Sequence, residues 1–382
     1  MEPFKNLFSP ALVSSLADHL HLQVSGFDRD KFETPILADL QQLELKQRAQ
    51  LIADHVHLHL PEQLAERARI LLAILHPDEL DHVNQPSDEH GICGWAIFAL
   101  QMVVGQHGLH DFDRSMEVLR QMTKRFSCEF GIRYFLLADQ ARALKIMQNW
   151  VEDGNYHVRR LVSEGSRPRL PWAMQLPGFI ADPSPVLPLL TALRDDEQEY
   201  VRRSVANNLN DIAKDHPNLV GDLAVNWMEN AKPVRQKLVR HACRTLIKQG
   251  HETALQAFGV FPAKIDPPKI NISSKTVQFG EKLGFSVEIL SNSDQPQELI
   301  IDYILHFKKA NGKLAPKVFK WSKFTLAPRQ SRVLQKKHSI RPITTRKYYG
   351  GIQGLSLRIN GKDFGYLEFE LTVSNNKAGM GR

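Results

Sequence analysis

Glu164, Trp172 and Asp211 are the side chains in this sequence whose types and surroundings suit chemistry. Trp172 closes the tract Ser163-Glu164-Gly165-Ser166-Arg167-Pro168-Arg169-Leu170-Pro171-Trp172. Pro168 and Pro171 keep a helix from continuing, so the tract predicts a stiff loop that presents an indole beside a carboxylate and two arginines. An aromatic face next to an acid suits stacking on a cationic sugar or base. Other roles stay open at this point: Glu164 and Asp211 equally fit an arginine–carboxylate network bracing neighbouring helices, and a tryptophan ordinarily fills a core.

The elements that must position these residues are repeated helices. Val158-Arg159-Arg160 recurs at Val201-Arg202-Arg203 and at Val234-Arg235-Gln236, at intervals of 43 and 33 residues. Thirty-odd residues match one helix–turn–helix unit of an α-solenoid, and the longer interval accommodates the Pro-rich tract. Aligned on the three valines, polar columns appear: Arg160/Arg203/Gln236, Glu164/Asn207/Arg240, Gly165/Asn208/His241 and Pro168/Asp211/Arg244. In a solenoid such columns line one concave surface. A predicted helix over 232–249 carries Lys232, Arg235, Lys237, Arg240, Arg244 and Lys248 and no acid. Like charges on one helix repel, which favours a phosphate-binding role over a merely solvated face. Arg160, Arg167, Arg169, Arg203, Asn208, Lys237, Arg240, His241 and Arg244 are the candidate phosphate-contacting residues of the helical region.

Residues 1–262 read as helical. Ser9-Pro10 supplies an N-cap and first-turn pair for a helix through Leu20. Apolar spacing predicts helices over Leu64–Leu75, Trp95–Val104, Phe112–Met122 and Ile132–Trp150, then pairs 140–152 with 156–165, 186–195 with 199–213 and 218–230 with 232–249. Trp95, Trp150 and Trp227 fall at core positions. The Pro-rich 263–268 segment reads as a linker. From 269 to 374 the period changes to two, and seven short strands predict an immunoglobulin-like sandwich without a cysteine pair. Asn311-Gly312 and Asn360-Gly361 predict type I′ hairpin turns. The Gly-rich tail 375–382 reads as disordered. The expected fold class is therefore a HEAT-like α-solenoid followed by a β-sandwich.

The net charge of +7 is uneven. Residues 269–382 hold 20 Lys and Arg against 8 Asp and Glu, a net +12, leaving −5 on the first 268. A basic appendage suits a polyanion, with Lys336, Lys337, Arg346 and Lys347 as its candidate contacts near predicted turns. No apolar run approaches the length of a membrane span, and the start has no leader pattern. Cys93, Cys128 and Cys243 are isolated and odd in number, which fits reduced thiols and a cytoplasmic location. His55, His57 and His59 alternate, so they share no helical face, and no ligand set completes them; no metal is expected. No phosphate loop, nucleophile elbow or CxxC motif is present.

The tract His157–Trp172, followed by the helix from Val201 to Asp211, resembles the AlkC-type DNA glycosylases of the HEAT-like-repeat DNA alkylation repair superfamily. The likeness spans the helical region, and some members append an immunoglobulin-like domain. The resemblance implies excision of cationic N3-alkylated bases, chiefly 3-methyladenine and 3-methylcytosine, from duplex DNA, without cofactor and without base flipping. It also implies a monomer with no obligate protein partner. Matched by motif, Glu164, Trp172 and Asp211 fall on the family's active-site positions, and Glu129, before the Ile132 helix, on a further acidic one. The residues agree: N3 alkylation makes the base a cationic leaving group, so the remaining work is to stabilise an oxocarbenium-like sugar and orient water, and carboxylates do both. An open solenoid predicts no closed pocket, consistent with attack without flipping. The competing reading is a non-catalytic helical-repeat adaptor, which needs no Pro-braced Trp172 loop at one repeat.

Overall fold

A computed structural model describes residues 3–77, 85–343 and 346–373. The predicted disordered tail, 375–382, lies outside the described residues. The chain forms two compact units, Met1–His216 with Lys232–Ala242, and Pro217–Ala231 with Cys243–Arg382.

The helices run α1 (Pro10–Gln23), α2 (Arg29–Leu40), α3 (Leu45–His59), α4 (Leu64–Ala73), α5 (Trp95–His107), α6 (Phe112–Thr123), α7 (Ile132–Ala138) and α8 (Gln140–Trp150). They continue as α9 (Tyr156–Gly165), α10 (Pro177–Ala181), α11 (Leu187–Leu193), α12 (Glu199–Ile212), α13 (Pro217–Met228), α14 (Pro233–Ala242), α15 (Arg244–Gln249) and α16 (Glu252–Gln256). Ser9 caps α1 as expected, accepting from the Leu12 N–H at 3.3 Å. Two predicted helices are each broken in two. Ile132–Trp150 breaks at Asp139, which leaves helical geometry and caps α8 by accepting from the Arg142 N–H at 3.0 Å. The 232–249 helix breaks at Cys243, and its halves fall in different units.

That break, and the neighbours of α14, weaken the like-charge argument. Arg235 pairs with Asp195, and Lys237 with Glu199 at 2.7 Å, so acids on other elements neutralise these two cations. Within the first unit α8 packs on α9, α11 on α12, α9 on α12 and α12 on α14, so the Val-Arg helices stand side by side. Val158, Leu161 and Val162 meet Val201, Val205 and Leu209 in the core, all buried.

The second unit holds the sandwich. Its strands are β1 (Lys269–Ile272), β2 (Thr276–Gln278), β3 (Lys282–Leu290), β4 (Gln297–Lys308), β5 (Leu314–Leu326), β6 (Ser331–Ser339), β7 (Gly351–Ile359) and β8 (Lys362–Thr372). One sheet has the order β1-β3-β6 and the other β2-β8-β7-β4-β5. The alternating Leu283, Phe285, Val287 and Ile289 of β3 enter the same core as Leu299, Ile301, Leu355, Leu357 and Phe369. Strand β1 escapes the sequence pattern because it is a short edge strand whose residues are only partly buried. Asn360-Gly361 forms its turn with both residues at positive φ, as a type I′ turn requires. Asn311 is not at positive φ; that hairpin closes from the Lys309 carbonyl to the Gly312 N–H at 3.0 Å, with only Gly312 left-handed.

The expected linker is not a free spacer. Asp266 N–H donates to the Leu290 carbonyl at 3.1 Å and Asn292 N–H to the Lys264 carbonyl at 2.8 Å, so this segment runs along the sandwich. Lys336 and Lys337 also correct the sequence reading: they lie within strand β6, opposite Phe285 and Gly284, not beside a turn.

Candidate active site

The site is assembled on α9, α12, the stretch before α7 and the loop that leaves α9. On α9, Arg160 and Glu164 are four residues apart, and Arg167 follows three later; on α12, Ser204, Asn208 and Asp211 show the same spacing. The α12 intervals put its three residues on one helix face, as does the four-residue interval of Arg160 and Glu164, while Arg167 follows just past the end of α9. All three α12 residues are buried, as are Glu164 and Arg167. Buried polar groups must find partners, and here they find one another. Ser204 Oγ donates to Glu164 Oε2 at 2.7 Å, and Arg167 Nη1 to Glu164 Oε1 at 2.7 Å. Arg167 Nε donates to Asp211 Oδ2 at 2.8 Å, so one guanidinium joins the two carboxylates. Lys214 Nζ donates to Asp211 Oδ1 at 2.8 Å. Glu129 accepts from Arg160 Nη1 at 2.6 Å and from Ser127 Oγ at 2.6 Å. Arg160 also lies 3.5 Å from Glu164 and over the Tyr200 ring at 4.8 Å.

Three carboxylates thus share one polar cluster with Arg160, Arg167 and Lys214. Burial pushes the Glu164 carboxyl up, but Arg160 and Arg167, aided by the Ser204 hydroxyl, outweigh it and hold the group below its ordinary value. For Arg160 and Arg167 burial opposes the charge, and their carboxylate partners overcome it and raise both.

Several candidates for DNA binding are therefore committed elsewhere. Half-buried Arg160 and buried Arg167 are partners of the acids, not free phosphate contacts. Asn208 is fully buried and donates to the Ser163 carbonyl at 2.8 Å and Ser166 Oγ at 3.1 Å, tying α12 to the end of α9. Arg169 forms a two-point pair with Asp215, both bonds 2.8 Å. His241 is hydrogen-bonded to Asn207 at 3.0 Å. Arg203 is exposed on α12.

The loop after α9 behaves as its prolines demand. Trp172 is 65% exposed with φ +66°, a left-handed conformation that is costly for a residue with a Cβ. The core alternative for Trp172 fails on that exposure. What holds the loop is Arg133, on α7, which sequence reasoning missed. It is fully buried; its Nη1 donates to the Gly165 carbonyl at 2.9 Å and the Arg167 carbonyl at 2.8 Å, and its Nε to the Met174 carbonyl at 2.6 Å. One side chain therefore staples both ends of the loop. Burial, then the nearby Arg167, pushes its guanidinium down to about 10, while Glu129, Asp211 and Glu164 oppose that shift. Gly165 permits the close approach of α7, since a Cβ there would lie 2.6 Å from Ile132 Cγ2.

A cavity of about 340 Å³ opens at this cluster, lined by Glu129, Arg160, Glu164, Arg167 and Trp172 and by the aromatic rings of Trp95, Phe98, Phe126, Phe130 and Tyr200. The hollow is open to solvent on one side, and residues of the loop and of α5 form part of its wall. Trp95 lines this cavity, whereas Trp150 and Trp227 are buried in the core. Ser127, Tyr200, Ser204 and Lys214 also went unread. Ser204 was findable from its place four and seven residues before Asn208 and Asp211; Arg133 was findable as a lone cation in the apolar run Ile132–Ala138. Away from the site, His57 stacks on His107 at 3.5 Å and is hydrogen-bonded to Arg67, so the alternating histidines diverge.

In the second unit a cavity of about 580 Å³ is ringed by Lys248, Lys308, Lys309, Lys317, Arg346, Lys347 and Arg358. Arg346 spreads over the Phe307 ring at 4.2 Å. Lys336 and Lys337 line a separate hollow with β1.

Three comparisons bear on this arrangement. The family model described as "Uncharacterised protein YhaZ, C-terminal Ig-like domain" matches residues 267–373. The uncharacterised protein YhaZ of Bacillus subtilis (strain 168) is 37% identical over 373 residues, 97% of this chain and 100% of that protein. The structure of Pseudomonas fluorescens alkylpurine DNA glycosylase AlkC, bound to DNA containing an abasic site analog, is similar with a TM-score of 0.77. It is 36% identical, over 97% of this chain and 100% of that one.

Proposed function

This chain belongs to the AlkC-type DNA glycosylase family, and from that premise we propose that it excises cationic N3-alkylated bases, 3-methyladenine and 3-methylcytosine, from duplex DNA. The observation that carries the reading is the polar cluster of buried Glu164 and Asp211 with half-buried Glu129, beside an exposed, loop-borne Trp172. In this reading the C1′–N bond breaks with its electron pair passing to the base, which cancels the base's positive charge. No general acid is required. Glu164, kept ionised by Arg160 and Arg167, stabilises the oxocarbenium-like sugar, and the Trp172 face packs on it. Asp211 holds the water whose oxygen bonds to C1′ and takes up the proton that water loses. Glu129 fixes Arg160 and adds negative potential. The cluster supports this division because Glu164 has both oxygens held by buried donors, whereas one oxygen of Asp211 is held only by a lysine near the surface.

Attack at the sugar, with the base left in the stack, follows the family resemblance. Exposed Arg203 and the basic rim of the sandwich are the proposed phosphate contacts, and the site of action is the bacterial cytoplasm. Incubation of the full-length protein with duplex bearing 3-methyladenine or 3-methylcytosine, followed by chromatography of released bases, tests the activity. Free methylated base is the expected product; an intact duplex that is nonetheless bound would instead mark an adaptor.

A further inference from the structure

Asp211 reaches the surface through one bond. Its Oδ2 is held by Arg167 Nε, a buried donor, and its side chain is 3% exposed. Its Oδ1 is held by Lys214 Nζ at 2.8 Å, and that lysine side chain is 44% exposed. Lys214 follows the last turn of α12, three residues beyond Asp211, on a four-carbon stem free to rotate toward solvent. The other partnered oxygens differ. Glu164 is bound by Arg167 and Ser204, and Glu129 by Arg160 and Ser127, and each of these donors is buried or nearly so. Arg167 also anchors the loop that carries Trp172, so the fixed side of Asp211 and the exposed indole belong to one braced segment.

We propose that Lys214 is a displaceable cap on Asp211: in the free protein it occupies Oδ1, and on duplex binding its ammonium transfers to a backbone phosphate and leaves that oxygen to hold the attacking water. The inference rests on the proposed glycosylase reading and adds the residue that couples DNA binding to the readiness of the site. Lys214 forms the solvent-exposed, salt-screened side of the pair, so a phosphate competes for the lysine while the incoming cationic sugar and water compensate the buried carboxylate. A phosphate also offers several acceptor oxygens to a hydrated ammonium, which needs no fixed geometry. The exchange conserves charge at both ends. Lys214 leaves one anion for another, and Asp211 exchanges that counter-cation for the developing cation and the water brought to it.

The test is Lys214→Met in the full-length protein, read in two ways. Binding to undamaged duplex across a salt series should weaken, with the slope of log affinity against log salt falling by about one unit. Transfer to phosphate is an equilibrium within the complex, so single-turnover excision at saturating protein should rise by about twofold or more when the share of complexes still capped is removed. Weaker binding with faster chemistry is a split that a purely structural partner of Asp211 does not produce. An unchanged salt slope overturns the transfer to phosphate, and a saturating rate at or below the parent's overturns the cap. If the parent protein releases no base, the glycosylase reading fails, while the salt slope still decides whether Lys214 takes a phosphate.

Discussion

At the residue scale, each catalytic assignment is a statement about charge. Glu164→Gln and Asp211→Asn keep size and hydrogen-bonding shape while removing charge, so each should lower single-turnover excision by a factor of about 10²–10⁴ with little change in duplex affinity. Near-normal excision by both would refute their roles. Acidification tests Glu164 separately. Its folded value lies below the ordinary 4.5, so its ionised form adds stability that is complete above 4.5 and lost as pH falls through the depressed value. The melting temperature should therefore drop on the acid side of pH 4.5, and Glu164→Gln should flatten that drop. Trp172 gives a different signature. Being 65% exposed, it contributes little to the core, so Trp172→Ala should lose excision yet melt within a few degrees of the parent. Because φ is +66°, Trp172→Gly should be more stable than Trp172→Ala, by about 1 kcal/mol. Equal stability of the two variants, measured by denaturant titration, would mean that the loop relaxes away from this conformation.

At the element scale, the site depends on a loop tied to a helix by one buried arginine. Arg133→Met removes donors to three carbonyl oxygens, those of Gly165, Arg167 and Met174, and leaves the two at Gly165 and Arg167 buried without this partner. It should cost about 3 kcal/mol or more and abolish excision, since Arg167 and Trp172 lose their support together. Arg133→Lys keeps the charge without the planar fork and should recover part of the stability but little activity. If Arg133→Met cleaves methylated duplex at the parent's rate, the loop is held by other means. The helices themselves were legible from periodicity because an apolar face recurs whenever a helix packs on a core. Their breaks were not: Asp139 and Cys243 interrupt continuous apolar patterns, and only cap geometry and packing against neighbours decide where a pattern is cut. The same reason hid β1, a short edge strand without a fully buried residue.

At the scale of the whole molecule, the charge asymmetry finds a place in the second unit, where basic side chains ring the 580 Å³ cavity. If these cations meet the DNA backbone, Arg346→Ala with Lys347→Ala in the full chain should weaken binding to damaged and undamaged duplex alike and lower the salt slope by about two units. An unaltered slope would assign the sandwich another task. Cutting the chain after Pro268 is a poorer test. Within this unit Arg358 donates to the Gln249 carbonyl at 2.9 Å and Asn360 to the Phe261 carbonyl at 2.7 Å, and a Cβ at Gly361 would lie 2.1 Å from the Gly250 carbonyl oxygen. Truncation would strip those contacts as well as the cations. What the amino-acid order determines by itself is local: the 3.6-residue and two-residue periods that set helix and strand, the prolines that force the Trp172 loop, and the His157–Trp172 tract that carries the family resemblance. Tertiary structure decided which cations are free. Arg160, Arg167, Arg169 and Lys237 read along the sequence as cations like Arg203, yet they are neutralised by Glu129, Glu164, Asp215 and Glu199, acids 3 to 46 positions away. A charge reports its partner only when the chain has folded, because its energy depends on distance and burial, and neither is written along the sequence.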